Sequence, residues 1–346
     1  ARAWGAVGHL HGVLDSPELR EAYNATQPKI VQYYTEVGQN LALFGKYKSL
    51  AESAEFKRLS GAQQRIIANE IRDFRLSGAE LPEEKKLRFA AIMEELAQLT
   101  TRFSENVLDS TNAFSLNIDS GDRLRGIPDD VLEAAREAAK SKGRSGWELT
   151  LRGPCVIPVL QYADDRELRH TLYRAYQTRA SEFSDSKLDN TPIISRIVKL
   201  RREVARLLGY TSHAEVSLVP KMARSPAEVI DFLEDLARKA LPFARRDYAE
   251  LKAFAAEELG LTDLQAWDIA YASEKLRASR YAFSDQEVKL YFPEPKVLEG
   301  MFRVVERVFG IRIAPDTADT WDPTVKFFKL IDLEGANVGQ FYLDLY

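Results

Sequence analysis

Apolar residues recur every third or fourth position through most of this chain and alternate at every second position only near its end. Ser60-Gly61-Ala62-Gln63 has the makings of a capping box, the hydroxyl accepting a first-turn amide while the glutamine reaches back. It predicts a helix ending near Ser77-Gly78. Pro82-Glu83-Glu84 sets proline in a first turn and acid against the positive end of the helix dipole. The long helix it opens carries Phe89, Ile92, Met93, Leu96, Leu99, Phe103 and Val107 on one stripe, a core face. Pro128-Asp129-Asp130 starts another helix, stopped by Gly143, and Trp147 to Leu151 alternates briefly as a short strand. Helices follow at about 154–163, 165–181 and 191–208. Ser225-Pro226-Ala227-Glu228 is the strongest start signal and leads a helix to about Glu258, with a bend expected at Pro242, which lacks a backbone donor.

Trp267-Asp268-Ile269-Ala270-Tyr271 opens a polar helix, and Tyr291-Phe292-Pro293 closes it. An amphipathic helix with Val297, Leu298, Met301, Phe302, Val305, Val308 and Phe309 on one side then runs to Gly310. Period two follows in Val325 to Leu330 and Val338 to Leu345, joined by a turn at Asp332 to Gly335, which predicts a small hairpin. The expected fold class is mainly α with a β-hairpin at the C-terminal edge. Its organisation reads as an N-terminal helical segment (1–95), a middle helical lobe (96–290) and a helix plus hairpin (291–346). The last strand stops without a turn, cap or polar tail, and the first residues lack an initiator Met, so the chain is expected to be part of a larger protein.

Composition narrows the chemistry. Apolar residues make up 45% and charged residues 29%, and no apolar run approaches the roughly 18 residues of a membrane span. Forty-eight Lys and Arg against 52 Asp and Glu, interleaved along helices, give a net charge of −4 and no basic patch for nucleic acid. One cysteine, Cys155, excludes an intramolecular disulfide and fits a reducing compartment. It sits at a helix start that could lower its pKa. The four histidines are His9, His11, His170 and His213. The first two lie on nearly opposite sides of a helix, His170 on a charged face read as solvated, and His213 at a helix start. None suggests a metal centre. Nucleophile elbows, phosphate loops and paired Cys-x-x-Cys motifs are missing from the sequence.

Five segments, in order, resemble the oligopeptidase A and thimet oligopeptidase family of zinc metallopeptidases, most closely its bacterial oligopeptidase A members. They are Asp15 to Tyr23 (DSPELREAY), Arg72 to Gly78 (RDFRLSG), Tyr173 to Ser181 (YRAYQTRAS), Trp267 to Tyr271 (WDIAY) and Phe341 to Tyr346 (FYLDLY). The resemblance implies a long-helix, two-lobed zincin-type body around a narrow channel that admits short unfolded peptides. It also implies a helix bearing His-Glu-x-x-His with a further Glu downstream, whose two histidines and distant Glu hold zinc. That motif is not in this sequence, so no catalytic or zinc residue is carried over. Family members often have two tyrosines where this chain has Tyr271-Ala272, which removes any role for the second ring.

The expectation is therefore the N-terminal part of a zinc-dependent oligopeptidase that cleaves internal bonds of short peptides in the cytoplasm. Zinc is expected in the full-length protein and none in this chain, which would form channel walls and pair with a C-terminal catalytic half. Neither nucleic acid nor membrane is an expected partner. Tyr342, Asp344 and Tyr346, on one face of the last strand, are the candidate cleft neighbours. The alternative is a non-catalytic α-helical scaffold or peptide-binding relative.

Overall fold

The computed structural model describes residues 2–281 and 285–345. The chain forms two compact units, one of Asn24–Leu276 and one that joins Ala1–Tyr23 to Arg277–Tyr346. In the latter, α1 (Arg2–Val13) meets the first turns of α2 (Pro17–Gly38) through aromatic rings. Trp4 and His11 both stack on Tyr23, at centroid distances of 4.8 and 4.1 Å. They are seven residues apart, two helical turns, which puts both on one face of α1.

In the larger unit, α3 (Leu41–Glu52) and α4 (Gly61–Leu76) pair through buried Phe44 and Phe74, 5.4 Å apart. The capping box at Ser60 forms as predicted: its hydroxyl accepts from the Gln63 amide, and Gln63 accepts from the Ser60 amide. The predicted stripe on α5 (Glu83–Ala113) is a core face, with Phe89 and Ile92 buried. Beyond it come β1 (Leu116–Ile118), α6 (Asp129–Ser141) and β2 (Trp147–Leu149), the two strands pairing antiparallel with Ile118 opposite Trp147. The sequence pattern missed β1, which has only three residues directly after a 31-residue helix and so shows no period.

Strand β2 feeds α7 (Gly153–Tyr162) and α8 (Arg166–Gln177), and with Ile118, Leu149 and Leu151 these bury Val156, Val159, Leu168 and Leu172, the largest core of the molecule. Helix α8 stops four residues short of the predicted end, and Ala180 adopts a left-handed φ of 47° in the turn that follows. On α9 (Thr191–Leu207), Leu200 and Val204 close over the α5 stripe, and Arg88–Glu203 and Arg196–Glu95 pairs flank that contact. The short α10 (His213–Leu218) leads to α11 (Pro226–Leu259), which runs unbroken through Pro242 and ends on Gly260 in the left-handed conformation. Its last turns bury Leu251 and Ala255 against Leu264 and against Ala272 of α12 (Ile269–Tyr281).

The smaller unit continues with α13 (Asp285–Lys289), α14 (Glu294–Phe309), β3 (Arg312–Pro315), β4 (Lys326–Ile331) and β5 (Asn337–Leu343). The predicted hairpin β4–β5 is present, but it is two-thirds of an antiparallel sheet of order β3-β4-β5. Strand β3 escaped the sequence pattern because four residues ending in proline carry too little alternation. Phe302 of α14 packs edge-on against Phe328 at 5.0 Å and covers one face of the sheet.

Gly126 has φ +87°, and a Cβ there would lie 2.2 Å from the Tyr162 carbonyl oxygen, whereas at Gly260, φ +67°, a Cβ meets open space. Gly126→Ala is expected to cost more than about 2 kcal/mol and Gly260→Ala about 1 kcal/mol, the left-handed penalty alone. Equal losses in urea unfolding of the two variants would contradict the packing described for Gly126.

Candidate functional site

Two side-chain clusters stand out, one in each unit. The first surrounds Trp321, in the loop between β3 and β4. Its indole nitrogen donates to Asp344 Oδ2 at 3.0 Å, and its ring lies 5.0 Å from Tyr342 and 4.8 Å from His9. Tyr342 also packs on Phe327 at 4.6 Å, its direct cross-strand partner, and its hydroxyl donates to the Asp319 carbonyl at 3.3 Å. The structure thus brings the candidate residues Tyr342 and Asp344 together on one indole. Tyr346, the third, lies outside the described residues. Pattern reasoning missed Trp321 and His9 as their companions; the one available signal was a tryptophan inside the polar stretch Asp319-Thr320-Trp321-Asp322.

Tyr342 is 44% exposed, so part of its side chain faces solvent beside these contacts. Strand β5 is at an edge of the sheet and carries backbone donors and acceptors that an extended segment can pair with. Such an arrangement can stack and hydrogen-bond. It holds no nucleophile beside a base.

The second cluster is ionic and built on Trp267-Asp268-Ile269-Ala270-Tyr271. The Asp268 side chain is fully buried and accepts from Arg169 at 2.8 Å and from Arg166 at 2.7 Å. Arg169, itself 1% exposed, also donates to the Ala163 carbonyl at 2.7 Å and lies 4.0 Å over the Tyr271 ring. Tyr271 donates to Asp164 at 3.0 Å, and Lys275 reaches the same carboxylate at 3.3 Å. Burial alone would push the Asp268 carboxyl up, but the hydrogen bonds from Arg166, Arg169 and the Gln265 amide outweigh it and hold the group below the usual aspartate value. Burial, aided by the hydrogen bond to Asp164, pushes the Tyr271 phenol up to about 12. Tyr271 is therefore a permanent donor at neutral pH. Ala272, the residue replacing a second tyrosine, is fully buried against Leu251 and Ala255.

This cluster corrects one expectation. The face of α8 bearing Arg166, Arg169 and His170 is only partly solvated: Arg169 is buried and the His170 ring packs on Trp267 at 4.3 Å, while the Arg166 side chain is 42% exposed. The Cys155 sulfur accepts the Thr150 amide at 3.3 Å, and burial raises its thiol pKa, against the lowering that a helix start could give. Burial, aided by Arg201 and Lys221, lowers the His213 pKa. His9, His11 and His170 pack against aromatic rings and His213 lies at a helix start. Among the described residues no group of three or more His, Cys, Asp and Glu side chains is arranged to hold a metal ion, so the residues present do not fit a zinc site. Among them, too, no helix is long and apolar enough to cross a membrane.

Residues 159–346 match peptidase family M3, and residues 1–86 match the neurolysin/thimet oligopeptidase N-terminal domain. The chain is 44% identical to oligopeptidase A of Haemophilus influenzae, with 100% of this chain and 51% of that protein covered. To oligopeptidase A of Escherichia coli it is 42% identical over the same shares. A dipeptidyl carboxypeptidase of Salmonella typhimurium is 28% identical, with 95% of this chain and 48% of that protein covered. The chain spans about half the length of the curated relatives it matches.

Asp268→Asn removes the charge that two arginines share and leaves Arg169 buried without its counter-ion. Urea unfolding is expected to show a loss of about 3–5 kcal/mol. Because the folded-state carboxyl titrates below its unfolded value, its contribution is present above about pH 4 and disappears as pH falls through the folded value. The variant should accordingly lose part of the acid dependence of the midpoint, and an unchanged acid limb would contradict the assignment.

Proposed function

Because this chain belongs to peptidase family M3, we propose that it is the N-terminal half of a zinc-dependent oligopeptidase that hydrolyses internal bonds of short peptides. The observation that supports this most directly is alignment along the whole chain, at 44% identity, with about half of a protein named oligopeptidase A. The lower identity to dipeptidyl carboxypeptidase, 28%, favours internal cleavage over removal of terminal dipeptides. The metal ligands and the water-activating group belong, in this reading, to the other half.

What this chain contributes is shape. Its helices form channel walls that exclude folded proteins, and its last strand borders the cleft. Tyr342 and Asp344 are proposed as cleft neighbours, with Trp321 holding Asp344 in place through the indole hydrogen bond. The open edge of β5 suits an extended peptide or an adjoining strand. Tyr346 is proposed with them on strand alternation alone. One half-buried cysteine in 346 residues suits a reducing compartment, and the cytoplasm is the proposed location.

The test is peptide cleavage by the full-length protein. Short unstructured peptides should be cut internally, the activity should vanish on treatment with a chelator and return with zinc, and a folded protein should survive. Chelator-resistant cleavage would overturn the zinc mechanism. Tyr342→Ala should weaken cleavage about tenfold or less, as expected for a positioning contact and not for a proton-transfer group, whose loss costs about 10²–10⁴-fold. A loss of that larger size would refute the role given to Tyr342.

A further inference from the structure

Helix α11 carries an apolar surface that nothing in its own unit covers. From Leu236 through Ala249 every residue is exposed. At 3.6 residues per turn, Ile230, Leu233, Leu241 and Tyr248 fall on the same side as Leu251 and Ala255. The last two are buried against Leu264 and Ala272, while the first four are 46–53% exposed. One continuous stripe is thus packed for its final turns and bare for the preceding five. Phe232 and Phe243, 67% and 60% exposed, lie on the far side of the helix and are not part of this stripe.

Asp235, Lys239 and Arg246 lie on the other side, where Asp235 pairs with Arg238 and Lys239 and Arg246 with Asp247. Residues 230–248 extend about 28 Å. A monomer seldom leaves so long an apolar face in water, and a lone helix of this length has little stability without packing.

We infer that this stripe is the seat of the other half of the protein, the polypeptide that makes up the remaining length of the relatives. This rests on the reading of the chain as one half of an oligopeptidase. The choice of occupant follows from size and continuity: about half of each relative lies outside the matched region, and the bare stripe extends a face that already packs within a fold. The charged flank is satisfied by its own ion pairs and asks for no charged partner.

The experiment uses this chain and, produced separately, the polypeptide that follows it in the full-length protein. Binding is measured by sedimentation and titration calorimetry. Leu233→Asp with Leu241→Asp should weaken binding at least 100-fold, while Lys239→Glu, on the charged side opposite the stripe, should change it less than threefold. Because both leucines are exposed, the helical circular dichroism and urea midpoint of this chain should not change; if they fall, Leu233→Ser with Leu241→Ser replaces the aspartates. Unimpaired binding by the leucine variants would overturn the proposal. So would dimers of this chain that the same variants dissolve while the second polypeptide fails to bind. Binding is read without peptide cleavage. A complex that forms through the stripe yet cuts nothing would count only against the proposed activity, and an active complex indifferent to the stripe only against the stripe.

Discussion

The larger unit depends on one buried carboxylate. Asp268 is taken wholly out of water, a transfer that costs several kcal/mol for an unpaired ion even after relaxation. It is tolerated because two guanidinium groups of α8 converge on it, Arg169 Nη1 also donating to the Ala163 and Asp164 carbonyls. The consequence is mechanical. The pair fixes the start of α8 to the turn before α12; α8 belongs to the largest core through Leu168 and Leu172; α12 seats the end of α11 through Ala272. Helix α8 is thereby held against the consecutive helices α11 and α12, with Gln161 of α7 adding a hydrogen bond to Glu274 of α12 at 3.1 Å.

Hydrophobic packing alone would not select that arrangement, because apolar contact is non-directional. A bidentate arginine on a carboxylate is directional. Tyr271 and Trp267, three residues after and one before Asp268, add ring contacts with Arg169 and His170 that fit the same orientation. The smaller unit reaches a comparable result with rings instead of ions: Trp321 gathers His9, Tyr342 and Asp344 and leaves the edge strand beside them open.

Much of this was legible along the chain, for reasons that are local. Caps at Ser60 and Ser225, the stripe on α5 and the alternation in β4 and β5 are written in adjacent residues, and each appears where its pattern places it. The ionic cluster was not legible, since Arg166 and Asp268 are 102 residues apart and an arginine on a charged helix face reads as solvated until its partner is known. The Trp267 to Tyr271 segment stood out by resemblance, and its physical role emerged only with Arg169 beneath it. Trp321 was missed because loops have no period. A unit assembled from both chain ends is likewise invisible to a reading that proceeds residue by residue.

The most direct test of this account is a double-mutant cycle on Arg169→Met and Asp268→Asn, followed by urea unfolding. If the buried pair is what orients the helices, the double variant should be less destabilised than the sum of the two singles by more than about 1.5 kcal/mol, since each single strands the other's polar group. Losses that add to within about 0.5 kcal/mol would mean that the two residues act independently, and the ordering of α8, α11 and α12 would have to come from apolar packing alone.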